Sequence, residues 1–290
     1  MTLRALIRCC ITAGATTALA VGIPAAATAH TGDFAKFNDC PSTTPGVAKC
    51  LYSVTNKGSI VLGKKTTPIV NPVTLQGGYS KENSEQISTF YAASDGNTLS
   101  KTPQPVPGGL AGIVPPESAP LLVKLALAFF FENELTGVNA TLELAQPASA
   151  IQLSNYKLLL EEGVALKLPV KIHLENPFLG SSCYVGSNTA PIIWNLTSGT
   201  TSPPKGTTPL TGSAGEPSVK DEYEIAELTN NILVENDWEA PEANGCGEAL
   251  SFLVDPLIDL TVGLPAKPGI NSATLDNTID TATITSVNNH

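Results

Sequence analysis

The chain is poor in the two side chains that most often carry enzyme and phosphate chemistry. Of 290 residues only His30, His173 and His290 are histidine, and arginine occurs only at Arg4 and Arg8. Imidazole-driven acid–base catalysis, a Ser–His–Asp arrangement and a histidine-ligated zinc hydrolase site therefore have little to draw on. Beyond Arg8 there is no planar fork to grip phosphate or carboxylate in two parallel bonds. The net charge of −10 works further against nucleic acid, which is bound by neutralising phosphates and releasing counterions. Aromatic residues make up 6% of the chain, thin material for a sugar-stacking cleft. No D-x-D-x-D-G calcium loop and no C-x2–4-C zinc pair occurs. The longest apolar run after the amino-terminal region, Pro120 to Phe131, has Lys124 in its middle and is too short for a hydrocarbon layer of about 30 Å.

What is present begins with an export signal. Arg4 and Arg8 precede an apolar stretch from Ile11 to Ile23, Pro24 breaks it, and Ala27-Thr28-Ala29 has small residues at the two positions read by leader peptidase. This pattern predicts a signal peptide, residues 1–29, cleaved after Ala29. Cys9 and Cys10 would leave with it, and no lipoprotein-type start follows them. The remaining 261 residues hold 14 lysines against 26 acids, a net charge of −12. They are expected to form one β-rich domain, 30–290, secreted or held in the cell envelope without a transmembrane anchor. A proline- and glycine-rich stretch at 101–117 marks the best sub-boundary.

Four cysteines remain, Cys40, Cys50, Cys183 and Cys246. An even number in an exported chain reads as two disulfides, for which three pairings exist. The short loop with Pro41, Pro45 and Gly46 favours Cys40–Cys50, which leaves Cys183–Cys246. Loop-closure entropy then gives about 3 and about 4 kcal/mol respectively.

Hydrophobic periodicity predicts a mainly β, antiparallel, β-sandwich-like fold with two α-helices, with α+β as the alternative. Residues 50–62 read as a hairpin turning at Asn56-Lys57-Gly58, and Ile69 to Gln76 and Gln86 to Ala92 as strands. Ser118, Pro120 and the unbroken run from Leu121 to Leu135 predict a helix, apolar nearly all round and therefore buried. Val138, Ala140, Leu142 and Leu144 alternate with Asn139, Thr141 and Glu143. The clearest period of two runs through 163–176: Val164, Leu166, Leu168, Val170, Ile172 and Leu174 share one face, with Lys167, Pro169, Lys171, His173 and Glu175 on a solvated one. Pro169 suggests an edge or a bulge there. Tyr184-Val185 and Ile192 to Leu196 read as strands, and Ser198 to Gly215 as a long exposed loop. Ser218, followed by Asp221, Glu222 and Glu224, has the signature of a capped helix with Ile225, Leu228, Ile232 and Leu233 as its apolar stripe. A short helix or turn near Glu248–Val254 precedes a terminal strand from Asn271 to Val287.

From Glu175 the chain reads ENPFLGSSCYVGS, then APIIWNLTSGTTSPP, then PLTGSAG. With the leader and the early CP…KC pair, these segments resemble a group of uncharacterised secreted actinobacterial proteins, over most of the chain after Ala29. The resemblance implies a lineage and a compartment. It also implies that Asn176–Gly180 is a turn after a strand and that Cys183 anchors a disulfide. It brings no assigned activity.

Candidate chemistry is sparse. His173 reads as a solvated strand residue, and His30 and His290 lie near the chain ends. Gly212-Ser213-Ala214-Gly215 lacks the G-x-S-x-G spacing of a nucleophile elbow. Asp237, Trp238, Glu239 and Glu242 form the one dense acidic–aromatic patch outside a helix start, a weak candidate for calcium or sugar. The Phe129-Phe130-Phe131 cluster, with Leu121 onward, points to an apolar ligand. No catalytic residue, metal ligand or cofactor is assigned. The expected function is a noncatalytic envelope or secreted module acting through structure or surface contacts. A binder of lipid-like ligands is the first alternative and a carboxylate-dependent glycosidase, needing two acids about 5–10 Å apart, the second.

Overall fold

The computed structural model describes residues 29–110 and 136–290, and between them Leu121, Lys124, Leu125, Ala128 and Phe129. Residues 1–28 of the expected leader, Ser118, Pro120, Phe130 and Phe131 lie outside the described residues.

Strands dominate. They are β1 (Lys49–Leu62), β2 (Lys65–Pro68), β3 (Val73–Tyr79), β4 (Ser88–Ala92), β5 (Pro103–Val106), β6 (Val138–Leu144) and β7 (Gln152–Leu153). After helix α1 (Asn155–Leu160) come β8 (Leu166–Glu175), β9 (Tyr184–Val185), β10 (Ile192–Leu196), β11 (Glu216–Lys220), β12 (Ile225–Glu235) and β13 (Ala243–Asn244). Helix α2 (Ser251–Val262), β14 (Ser272–Thr283) and helix α3 (Ile284–Asn289) complete the chain. The hydrogen-bonded order is β11-β12-β14-β1-β3-β4-β7-β8-β6-β5, with β2 beside β1 and with β9 and β10 beside β8. All pairings are antiparallel, and β4 joins the two halves by pairing β3 on one side and β7 on the other. The fold is mainly β and sandwich-like.

β8 illustrates how the pattern makes the core. Leu166, Leu168, Val170, Ile172 and Leu174 are all buried on one face. The opposite face is half-buried rather than solvated, because Pro169 and Ala165 are covered too. Pro169 sits opposite Ile193 of β10, and the ladder with β6 ends at the neighbouring pair Leu144–Val170. An N–H that proline lacks is not required there.

Two expectations near the amino-terminal half are corrected. Residues 49–62 are one long strand, not a hairpin: Asn56 is an extra residue, since Thr55 faces Asn277 and Lys57 faces Asp276 on β14. Gly58 holds a positive φ of 133° with its Cα against the Thr274 carbonyl, where a β-carbon would collide. The bulge resets the alternation, so Ser53 and Thr55 before it and Ile60 and Leu62 after it all point inward. The helix of Leu121, Lys124, Leu125, Ala128 and Phe129 is not a buried one at those positions. Leu121 is 71%, Leu125 58% and Phe129 56% exposed, spaced four apart on one face.

The expected helix over 218–233 is a hairpin of β11 and β12, closed by Asp221 and Glu222, both with φ near +50°. β12 carries its own bulge between Leu228 and Asn231, with Asn230 left-handed. The two bulges flank β14 at the same level, and Asn277 fills the disturbed ladders. It accepts from the Thr55 hydroxyl at 2.6 Å and donates to the Asn231 carbonyl at 3.3 Å. Asn231 in turn donates to the carbonyls of Ser213 and Ala214. Buried polar groups freed by a bulge are thus satisfied.

The stretch from Ser198 to Gly215 is partly buried. Ser198 bonds the Leu158 carbonyl, and Ser213 bridges Ile232. The terminal strand stops at Thr283, whose hydroxyl caps α3 by accepting from the Ser286 N–H. Phe34, Phe37, Cys50, Ile225, Ala282 and Val287 make a second, small core on the outer face of the β1–β14–β12 region. His290 is stacked on Phe34 with ring centres 4.1 Å apart and bonded to Glu224, so the carboxyl end is anchored. Both disulfides, Cys40–Cys50 and Cys183–Cys246, are formed. Among the described residues no helix is long and apolar enough to cross a membrane.

Candidate functional site

The two halves of the sheet do not fill the space between them. A cavity with about 1240 Å³ between its walls, the solvent at its mouth included, opens inside the fold. One wall comes from β1, β2, β3, β12 and β14, the other from β5, β6 and β8. Ile258, Thr261 and Val262 of α2 close part of it. Leu110 and Val138 also line it, and the Leu110 N–H bonds the Thr136 carbonyl. The exposed Leu121, Leu125 and Phe129 lie in sequence between these two lining residues.

Alternation builds this lining. Val138, Ala140 and Leu142 face Leu168, Ile172 and Leu174 along one wall. The polar residues that also line it are largely committed to the protein itself. Gln104 accepts from the backbone N–H groups of Val70 and Asn71 and donates to the Asn71 carbonyl. Thr261 donates to the Leu257 carbonyl, and Thr102 pairs with Ser100. Thr55 and Asn277 bond each other. A wall whose polar groups are already satisfied offers hydrocarbon contact and few spare hydrogen bonds.

The far end is held by the Cys183–Cys246 bridge. Asp255 of α2 accepts from the N–H groups of Cys246 and Gly245, and Asp259 accepts from Ala243. Burial pushes the Asp259 carboxyl above its usual range. These bonds fix α2 to the bridged loop, and the Gly247 N–H bonds the carbonyl of Leu179, another lining residue.

The other candidates fall elsewhere. Asp237, Glu239 and Glu242 are exposed, whereas Trp238 is buried against Trp194 with ring centres 5.9 Å apart. The patch is thus split between solvent and core, and none of its members lines the cavity. The carboxylate buried in that region is Glu235, which accepts from the N–H groups of Asn195 and Asp237 and whose pKa burial raises. Among the described residues no cluster of three His, Cys, Asp or Glu side chains is placed to hold a metal. Phe129 is exposed.

His173 is not a solvated residue. Its side chain is 14% exposed, its ring stacks on Tyr184 at 4.4 Å, and Lys171 lies over the same ring. Nδ1 stands 3.5 Å from Glu175 and 3.8 Å from Glu143, while Nε2 is buried without a hydrogen-bond partner. Those separations exceed a hydrogen bond, and the nearby Thr141 hydroxyl is spent on Glu175. The cluster lies on the outer face of β8, opposite the cavity. Burial and the charges of Glu143 and Glu175 raise the pKa of Tyr184. Sequence reasoning missed this cluster because period two places His173 on a polar face without saying that β6 and β9 cover it.

Comparison of the chain with protein-family models, with curated proteins and with solved structures finds no match. The cavity therefore has to speak through its own geometry.

Proposed function

We propose that the protein is a noncatalytic, exported binder of an apolar ligand, which it holds in the cavity between the two halves of its sheet. The observation that carries this reading is the lining. Leucine, isoleucine and valine surround unfilled space in a fold whose interior would otherwise close-pack, and small-molecule pockets are typically lined by such apolar side chains with a few polar groups. Two disulfides and the leader-like amino terminus support a secreted or envelope location. A structural or surface-contact role is the alternative, favoured by the exposed Leu121, Leu125 and Phe129.

Titration with the neutral dye N-phenyl-1-naphthylamine separates the two. Saturable fluorescence enhancement is expected from the native chain, and Ala140→Phe, which fills the space with an unchanged near-ultraviolet circular dichroism spectrum, is expected to abolish it. No saturable binding by the native chain, together with no lipid copurifying in native mass spectrometry, would leave the surface-contact role.

A further inference from the structure

Among the described residues that line the cavity, one alone is charged, and it is a lysine. Lys65 shares the inward face of β2 with Thr67, followed by Ile69. In a chain with 26 acids, no carboxylate of the described residues pairs with it; the ion pairs run through Lys36, Lys101, Lys171 and Lys220. Its neighbour Lys64, on the opposite face, is exposed and reaches the Leu260 carbonyl. Lys65 itself is half-buried. A lysine in such a position lays its methylenes along the apolar wall and keeps its ammonium where water still reaches. That ammonium is left available to a ligand anion, with which it can make a charge-assisted hydrogen bond.

The location supports an entrance there. β2 pairs only with β1, and β5 only with β6, although β2 and β5 lie side by side. Across the seam run side-chain bonds, from the Val70 and Asn71 N–H groups to Gln104 and from the Asn71 side chain to the Pro103 carbonyl, and no backbone ladder, Pro103 and Pro105 having no N–H for one. The sheet is therefore unclosed along the strand that carries Lys65.

Resting on the cavity reading above, we infer that the ligand is an amphiphile with an acyl or alkyl chain and an anionic head group, the chain in the cavity and the head on Lys65 at the β2–β5 seam. The lining holds no carboxylate among the described residues to repel such a head. Carboxylate and phosphate monoester heads share the required chemistry, since an ammonium meets either as a point charge.

The test is displacement of N-phenyl-1-naphthylamine from the full oxidised chain at pH 8 by tetradecanoate, monotetradecyl phosphate, 1-tetradecanol and tetradecyltrimethylammonium. One or both anionic probes are expected to bind roughly tenfold or more tightly than the alcohol, with the cation weakest. Lys65→Gln is expected to remove that advantage while leaving the alcohol unchanged, and Lys64→Gln to change neither. Which anionic probe leads identifies the head. Equal binding of acid, phosphate and alcohol, or equal weakening of all probes by Lys65→Gln, overturns the head-group assignment while the cavity reading stands. Failure of the dye itself to bind, with no lipid copurifying in native mass spectrometry, overturns both.

Discussion

The β1–β14–β12 region has two faces that are built in opposite ways. On its outer side Phe34, Phe37, Cys50, Ile225, Ala282 and Val287 pack a small core closed by the Cys40–Cys50 bridge and the His290–Phe34 stack. On its inner side the same strands present Ser53, Thr55, Leu275 and Asn277 to a cavity. One face spends its residues on filling space and the other leaves space unfilled. The contrast teaches where stability is concentrated: Phe34, Phe37, Cys40 and His290 are held on the dense side, while the proposed guest would sit on the hollow one.

Substitutions can break or sharpen this contrast. The largest effects come from the bridges. Replacing Cys183 and Cys246 by serine should cost about 4 kcal/mol in urea unfolding, and the pair Cys40 and Cys50 about 3, because the first closes the longer loop. Only the Cys183–Cys246 variant should also change dye binding, since that bridge alone fixes α2 over the cavity. Truncation comes next. Phe34→Ala should cost about 3–4 kcal/mol, while Leu174→Ala, already bordering empty space, should cost about 2. Equal costs would mean that the inner face is packed as tightly as the outer.

The smallest effect is a pH dependence on the dense side. The Lys220 ammonium bonded to Glu227, with a second bond from the Ser218 hydroxyl, holds the Glu227 carboxyl below the usual range. A carboxyl lowered by folding contributes stability that is full above its unfolded value and lost as pH falls through its folded one. Glu227→Gln should therefore lower the melting temperature slightly at neutral pH, and the difference should vanish at the acid end of a thermal unfolding series. A difference that persists unchanged into acid would assign the effect to packing instead.

Much of the β architecture was legible, because alternation in 138–144 and 166–174 directly lists the inward residues, although Val164, expected on the same face, precedes β8 and is exposed. The failures share one physical origin. At Asn56-Lys57-Gly58 the residues suited to a turn are also those suited to a bulge, and only pairing with β14 on both sides of the interruption decides between them. In β12 the bulge at 229–230 shifts the inward set from Leu228 to Leu233. Together with Ile225, buried on the other face, this yields spacings that imitate a helical stripe. The Asp221 and Glu222 hairpin turn then passes for a helix start. The cavity lay beyond reach for a different reason: periodicity tells which way a side chain faces, not whether anything stands opposite it. Nor could Lys65 be distinguished from Lys64, since adjacent lysines differ only once the register of β2 is known.

The extra residue at Asn56 stands outside the parity of its strand. Removing that one residue would close the bulge, since Thr55 and Lys57 already face the consecutive residues Asn277 and Asp276, and Ile60 and Leu62 would still point inward. A single-codon deletion at Asn56 is thus far less disruptive than a single-codon insertion beside it, which would exchange inside for outside downstream and send Ile60 and Leu62 to solvent.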